Sequence, residues 1–233
     1  MMKKLGKKYV EASSKVDKTK VYDLAEAIEL VKTTSITKFD SSVEVAMNLN
    51  IDTKKSDQQL RGSIVLPNGT GKSKKILVLA KGAAATEAKE AGADFVGDQD
   101  LIDKISNENW FDYDVIIATP EMMPALGKIG KVLGPKGLMP NPKTGTVTPT
   151  PAKTVADVKK GMVEYRADSL GNIHGVIGKV SFEDKALQEN LTYFVNTILK
   201  NKPKSVKGVF VKSISICTTM GPGIKLNINS FDK

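Results

Sequence analysis

Two kinds of strand are written into this chain, and they call for two different sheets. Between residues 43 and 51, Val43, Val45, Met47, Leu49 and Ile51 alternate with Glu44, Ala46 and Asn48, so one face is apolar and the other is not. That pattern describes a strand buried on one side only. From about residue 68 the pattern changes. Ile76-Leu77-Val78-Leu79-Ala80 and Asp114-Val115-Ile116-Ile117-Ala118 are apolar on both faces, and they alternate with helix-forming runs at Ala83 to Ala91 and Leu101 to Glu108 and a short strand at Asp94-Phe95-Val96. Such strands belong to a parallel sheet covered by helices on both sides.

The remaining elements sort around these two. The spacing of Val21, Leu24, Ala25, Ile28 and Val31 predicts an amphipathic helix over about 20–34, and Ser63 to Leu66 predicts a short strand closed by Pro67-Asn68-Gly69. Thr119 to Pro151 holds seven of the chain's ten prolines and five glycines, which predicts neither regular helix nor central strand. Thr154 to Asp157 reads as a capping box opening a short helix. Val163 to Arg166 and Ile173 to Phe182 read as strands separated by a Gly171-Asn172 turn. Ser181 to Asp184 reads as the cap of a longer helix carrying Leu187, Leu191, Phe194, Val195, Ile198 and Leu199, ended by Asn201-Lys202-Pro203. Val209 to Cys217 and Ile224 to Ile228 complete the chain as strands.

One helix and two strands at the N-terminus are too few for a core, and the C-terminal elements also lack partners. Joining them gives the expected fold class, α/β and α+β in two domains, for which 233 residues leave room. Residues 1–67 and 160–233 form a discontinuous α+β domain, and a three-layer, Rossmann-like α/β domain is inserted at 68–159.

The chemical repertoire is narrow. With Cys217 its only cysteine and His174 its only histidine, the chain offers no internal disulfide and no zinc cluster, so no metal or cofactor is expected and the reading is cytoplasmic. Met1 to Val10 is basic but no apolar run follows, which predicts neither secretory signal nor membrane span. Gly69-Thr70-Gly71-Lys72-Ser73 superficially resembles the end of a phosphate-binding loop, but Leu66 stands where the first glycine belongs and a strand follows instead of a helix. Lys81-Gly82-Ala83-Ala84-Ala85 lacks the spaced glycines of a dinucleotide fingerprint. No Gly-x-Ser-x-Gly elbow occurs, and His174 suits hydrogen bonding or stacking on an RNA base better than general-base work. The chain reads as a non-enzyme.

Net charge is +9, and its placement says more than its size. Residues 1–20 carry seven lysines against Glu11 and Asp17, residues 120–160 carry seven against Glu121 and Asp157, and residues 200–212 carry five with no acid. The acidic excess gathers in 83–115, where nine carboxylates face Lys89 and Lys104. A polarised molecule with one face for phosphate follows, although charge runs also occur as plain solvated faces. Arginine occurs only at Arg61 and Arg166, so base reading would fall to other groups.

Lys38-Phe39-Asp40-Ser41-Ser42-Val43-Glu44 sets a cation and an aromatic before the alternating strand and a carboxylate on its outer face. A carboxylate beside phosphates is useful only where it accepts a hydrogen bond from RNA, such as a 2′-hydroxyl. Thr218-Thr219-Met220-Gly221-Pro222-Gly223 brings hydroxyls, a flexible apolar side chain and closely approachable glycines into one turn.

These segments, with Arg61-Gly62, Gly134-Pro135-Lys136-Gly137-Leu138-Met139-Pro140-Asn141-Pro142-Lys143, Glu164-Tyr165-Arg166-Ala167-Asp168 and Ile173-His174, run in the order of one family. Over essentially its whole length the chain resembles the bacterial large-subunit ribosomal protein one family, the universal stalk protein. The resemblance implies a monomer within the ribosome that grips large-subunit rRNA at the mobile side stalk. It also implies help in releasing exit-site tRNA and repression of the protein's own operon mRNA, with no membrane partner. Carried over by position, rRNA contacts fall on Lys38, Phe39, Ser42, Glu44, Arg166, Asp168, His174, Ser213, Thr219, Met220 and Gly221. The lysines that would face tRNA are Lys128, Lys131, Lys136 and Lys143. Two positions depart from the family: Ser42 stands where threonine is common, and Gly175-Val176 follows His174 where Ala-Pro is usual, which predicts a less rigid His174 loop. A regular strand at 209–217 would put Ser213, Ser215 and Cys217 on one face with Thr219, and the expected interface is a compact patch made of the two strand edges and the Thr219-Met220-Gly221 turn. The rival readings are a ligand- or nucleotide-binding protein acting through the inserted domain, and a general basic coat for nucleic acid.

Overall fold

The computed structural model describes residues 6–231. They form two compact units, one from the described residues of Met1–Gly71 and Val163–Lys233, the other from Lys72–Met162.

The first unit begins with a helix that no periodicity announced, α1 (Lys7–Ser14), which buries only Ala12. Helix α2 (Leu24–Thr33) starts later than its apolar spacing predicts, because Tyr22 is already taken up in a bridge to Leu226. Strand β1 (Ser42–Leu49) buries Val43, Val45, Met47 and Leu49 as the alternation requires, and stops before Ile51. Strand β2 (Arg61–Val65) leads into the Pro67-Asn68-Gly69 turn. Asn190, fully buried, pins that turn: it accepts the Asn68 N–H at 3.0 Å and donates to Gly69 O at 2.9 Å and Ile177 O at 2.7 Å. A buried amide with its hydrogen bonds satisfied fixes a connection that apolar packing alone would leave loose.

In the second unit β3 (Ile76–Leu79), α3 (Ala83–Glu90), β4 (Phe95–Gly97), α4 (Gln99–Glu108) and β5 (Val115–Ala118) alternate as the apolar runs predict. The sheet is parallel, in the order β4-β3-β5. The proline-rich stretch is more regular than expected, holding α5 (Met123–Lys128) and α6 (Gly130–Leu133). Pro124 sits in the first turn of α5, where a missing N–H costs nothing, so this proline starts a helix that it would have broken further along. Helix α7 (Pro151–Lys159) likewise opens on Pro151 with Thr150 at its N-cap, so Thr154 and Asp157 lie inside the helix and form no capping box. One side of the sheet packs Leu77, Leu79, Ile116 and Ala118 against Ile102, Ile105, Leu126 and Leu133.

The chain then returns to the first unit through β6 (Met162–Arg166), β7 (Asn172–Lys179), α8 (Asp184–Lys200), β8 (Val211–Thr218) and β9 (Ile224–Leu226). The Gly171-Asn172 turn makes no hairpin: β6 pairs with β2 in a separate two-stranded sheet, while β7 joins the main sheet, ordered β7-β1-β8-β9. Nor does Ser181 cap α8, whose N-cap is Glu183. Ser181 instead gives its hydroxyl to Asp40 Oδ2 at 2.8 Å and its N–H to Asp40 Oδ1 at 3.1 Å. The antiparallel main sheet covers its apolar face with α2 and α8, where Ile28, Val31, Leu191, Phe194 and Val195 meet the inward residues of β1. Its other face stays open.

Candidate nucleic-acid interface

Strand register decides which side chains share that open face. Asn48 pairs with Asn172 on one side and Ser213 on the other, Ala46 with His174 and Ser215, and Glu44 with Val176 and Cys217. Lys225 of β9 stands opposite Ser215, which extends the middle row to four strands. Glu44, His174, Ser213 and Lys225 are exposed. The shared face of Ser213, Ser215 and Cys217 is therefore real, although a register shift at Asn48/Leu49 breaks its parity at the Val211 end. Burial and the charge of Glu44 push the Cys217 thiol up from its ordinary value.

At the end of the sheet where β1 begins, Thr219 N–H donates to Ser42 O at 3.0 Å and Ser42 N–H donates to Thr219 Oγ1 at 3.2 Å. This reciprocal pair ties the Thr219-Met220-Gly221 turn to the segment that carries Lys38 and Phe39. Lys179 adds its ammonium to the junction, donating to Ser42 Oγ at 3.1 Å. Phe39 is 63% exposed and Met220 71%, so Phe39, a residue type more often found in a core, is held in solvent here. Met220 also has φ +68°, a left-handed conformation uncommon for a side-chain-bearing residue. Gly221 completes the turn for a steric reason: a Cβ there would lie 2.2 Å from Thr218 Oγ1.

At the opposite end, Asp168 spends its carboxylate on its own loop. Its Oδ1 accepts the N–H groups of Leu170 at 2.9 Å and Asn172 at 2.8 Å, and its Oδ2 accepts the Asn172 side chain at 3.0 Å. The Asn172 side-chain bond, then the backbone bonds, hold its pKa below the usual carboxylate value. His174 Nε2 lies 3.9 Å from Asp168 Oδ2, and Arg166 is exposed at the end of β6. Eight residues of β1, about 25 Å of strand, separate this end from Ser42, so the predicted residues form a long strip instead of a compact patch. His174 also stands on strand β7, paired with Ala46, not in a loop, and Phe194 occupies the space beside Gly175.

The four lysines assigned to tRNA are all exposed in the Lys72–Met162 unit. Lys128 ends α5, Lys131 lies in α6, Lys136 holds its ammonium 4.0 Å from the centroid of the Phe111 ring, and Lys143 lies in the turn Pro142–Thr144. Sequence reasoning passed over Lys179, Lys225, Asn48 and Asn172 on the open face. Alternation marks Asn48 as outward, but only the register sets Asn172 beside it, Lys179 beside Ser42 and Lys225 opposite Ser215. Among the described residues no group of three or more His, Cys, Asp or Glu is placed to hold a metal, and no helix is long and apolar enough to cross a membrane.

The profile of the ribosomal protein L1p/L10e family matches residues 30–222. The chain is 60% identical over 225 residues to the large ribosomal subunit protein uL1 of Mycoplasma capricolum, covering 97% of this chain and 99% of that protein. The same identity and coverage hold for uL1 of Mycoplasma mycoides. With uL1 of Mesoplasma florum the identity is 59% over 228 residues, 98% of this chain and all of the relative.

Proposed function

Because this chain belongs to the ribosomal protein L1p/L10e family, we propose that it is a structural, non-enzymatic protein of the large ribosomal subunit that binds large-subunit rRNA through the open face of the β7-β1-β8-β9 sheet. One observation carries the reading. Phe39 and Met220 stand out in solvent on a junction locked by Ser42 and Thr219, beside Lys38 and Lys179. Apolar side chains held rigidly among cations suit stacking on bases and sugars while the lysines neutralise phosphate. Glu44, His174 and Ser213 supply hydrogen-bonding groups along the same face, and Arg166 and Asp168 extend it.

In this reading the rRNA site is the mobile side stalk, and the protein works as a cytoplasmic ribosomal monomer with no membrane partner. The Lys72–Met162 unit, read as an inserted Rossmann-like domain on the strength of its parallel sheet and flanking helices, offers Lys128, Lys131, Lys136 and Lys143 to exit-site tRNA during its release. The rRNA face also binds the protein's own operon mRNA and represses its translation.

Filter-binding titration of the full chain against a side-stalk rRNA transcript and a random RNA of equal length tests this. We expect at least tenfold preference for the stalk transcript, and competition for the same site by the operon leader mRNA. Equal affinity for both RNAs would leave only a basic coat protein.

A further inference from the structure

Two loops close the end of β1 away from Met220, and both hold an apolar side chain out in solvent. Leu49 N–H donates to Gly171 O at 2.9 Å on one edge of the strand, and Asn50 N–H donates to Phe210 O at 2.7 Å on the other. Beside these anchors stand Leu170, 78% exposed, and Val209, 71% exposed, each at least as open as Met220.

Scattered exposed apolar residues are ordinary, but these two are presented by fixed backbone. The Asp168 carboxylate caps the Leu170 loop, and Thr53 Oγ1 ties it to the next loop by donating to Ser169 O at 2.9 Å. Gly171, at φ +81°, has no room for a Cβ, which would meet Leu49 O at 3.0 Å. Val209 follows Gly208, whose carbonyl accepts the Lys202 ammonium at 3.1 Å.

The charge around them is positive on balance, the Asp168 carboxylate being taken up by its own loop. Lys54, Lys207 and Lys212 are exposed here, residues 200–212 contain no acid, and the nearby Asp52 carboxylate lies 4.0 Å from Lys55 Nζ. Strand β8 leads straight from Lys212 to the Thr219 turn, seven residues or about 23 Å away, over the polar floor of Ser213, Asn48 and Asn172.

We infer that Leu170, Val209, Lys54, Lys207 and Lys212 form a second anchor for the phosphate backbone of the same folded rRNA, so that the RNA lies along β1 and β8 and is gripped at both ends. The inference rests on the rRNA-binding function proposed above. RNA is the occupant that fits, because the patch is basic and continues a face already assigned to RNA; a protein partner would leave the salt dependence of RNA binding untouched.

The test is a salt series of filter-binding titrations with the side-stalk transcript. It compares the full-length wild type, the triple variant Lys54→Gln, Lys207→Gln, Lys212→Gln, and a control triple Lys89→Gln, Lys153→Gln, Lys185→Gln that removes the same charge elsewhere. All six lysines are exposed, so the fold is retained, and an unchanged unfolding midpoint verifies this. Each lost phosphate contact lowers the log–log salt slope by roughly 0.7–0.9, so the first triple should show a slope shallower by about 2 and at least tenfold weaker binding at low salt, with the control unchanged. An unchanged slope in the first triple, with wild type still selecting the transcript, overturns the second anchor alone. Equal changes in both triples also overturn it, since the loss is then one of general charge. A wild type that does not select the transcript defeats the rRNA-binding reading itself.

Discussion

Thr219 and Ser42 hold each other across the end of the main sheet, Thr219 N–H donating to Ser42 O at 3.0 Å and Ser42 N–H donating to Thr219 Oγ1 at 3.2 Å. The hydroxyl that looked from sequence like a direct RNA ligand is partly committed within the protein. It fixes where Met220 stands relative to Phe39.

Thr219→Val should therefore act twice. Removing the acceptor leaves the half-buried Ser42 N–H unpaired, at a cost of about 1 kcal/mol in stability, and the displaced turn should weaken side-stalk rRNA binding by about 1–3 kcal/mol. Thr219→Ser keeps the oxygen and should restore most of both. Denaturant midpoints and filter-binding titrations read the two effects; an affinity equal to wild type in the valine variant would remove the turn from the interface.

Met220 separates stability from function. A left-handed side-chain-bearing residue costs about 1–2 kcal/mol, which glycine avoids while losing about 0.5–1 kcal/mol in chain entropy. Met220→Gly should thus be neutral or up to about 1 kcal/mol more stable, yet bind the transcript at least tenfold more weakly because the exposed side chain is gone. A stable variant with full affinity would show that the backbone of the turn, not the methionine, meets the RNA.

The Asp168 loop should open with acid. Its carboxyl is held below the ordinary value of 3.8 in the folded protein, chiefly by the Asn172 side chain and then by the Asn172 and Leu170 N–H groups, with a contribution from His174. A depressed folded pKa contributes stability above the unfolded value, and that contribution disappears as pH falls through the folded one. The Leu170 and Asn172 amide resonances should accordingly titrate together, with a shared midpoint below 3.8, and Asp168→Asn should abolish the step. Separate midpoints, or one above 3.8, would contradict the hydrogen-bonded loop.

How much of this was legible depends on the range of the interaction. The alternation of Val43 to Leu49 announces an open-faced strand, and the all-apolar runs at Ile76 and Val115 announce a parallel sheet, because burial acts residue by residue along a strand. Ser181 looked like a helix cap because a local rule fits it, while its true partner, Asp40, is 141 positions away. The Gly171-Asn172 turn looked like a hairpin because turn chemistry does not say which strands pair. Lys179 and Lys225 join the open face only through register, and the left-handed backbone of Met220 leaves no mark in composition.

Gly175 tests the one departure that bears on His174. An added Cβ would stand 2.6 Å from Phe194 Cζ, and Phe194 is fully buried under the sheet, so the ring occupies the space an alanine would need. Gly175→Ala should destabilise the protein by about 1–3 kcal/mol through overpacking. Phe194→Leu alone should also cost stability, by opening a cavity. Because the two changes share one space, the double variant should be more stable than the sum of the single losses predicts, by at least about 1 kcal/mol in a double-mutant cycle. Strict additivity of the denaturation free energies would mean that β7 shifts to admit the methyl group. Its neighbour His174 would then move as well, and transcript binding would fall in the alanine variant and stay low in the double variant.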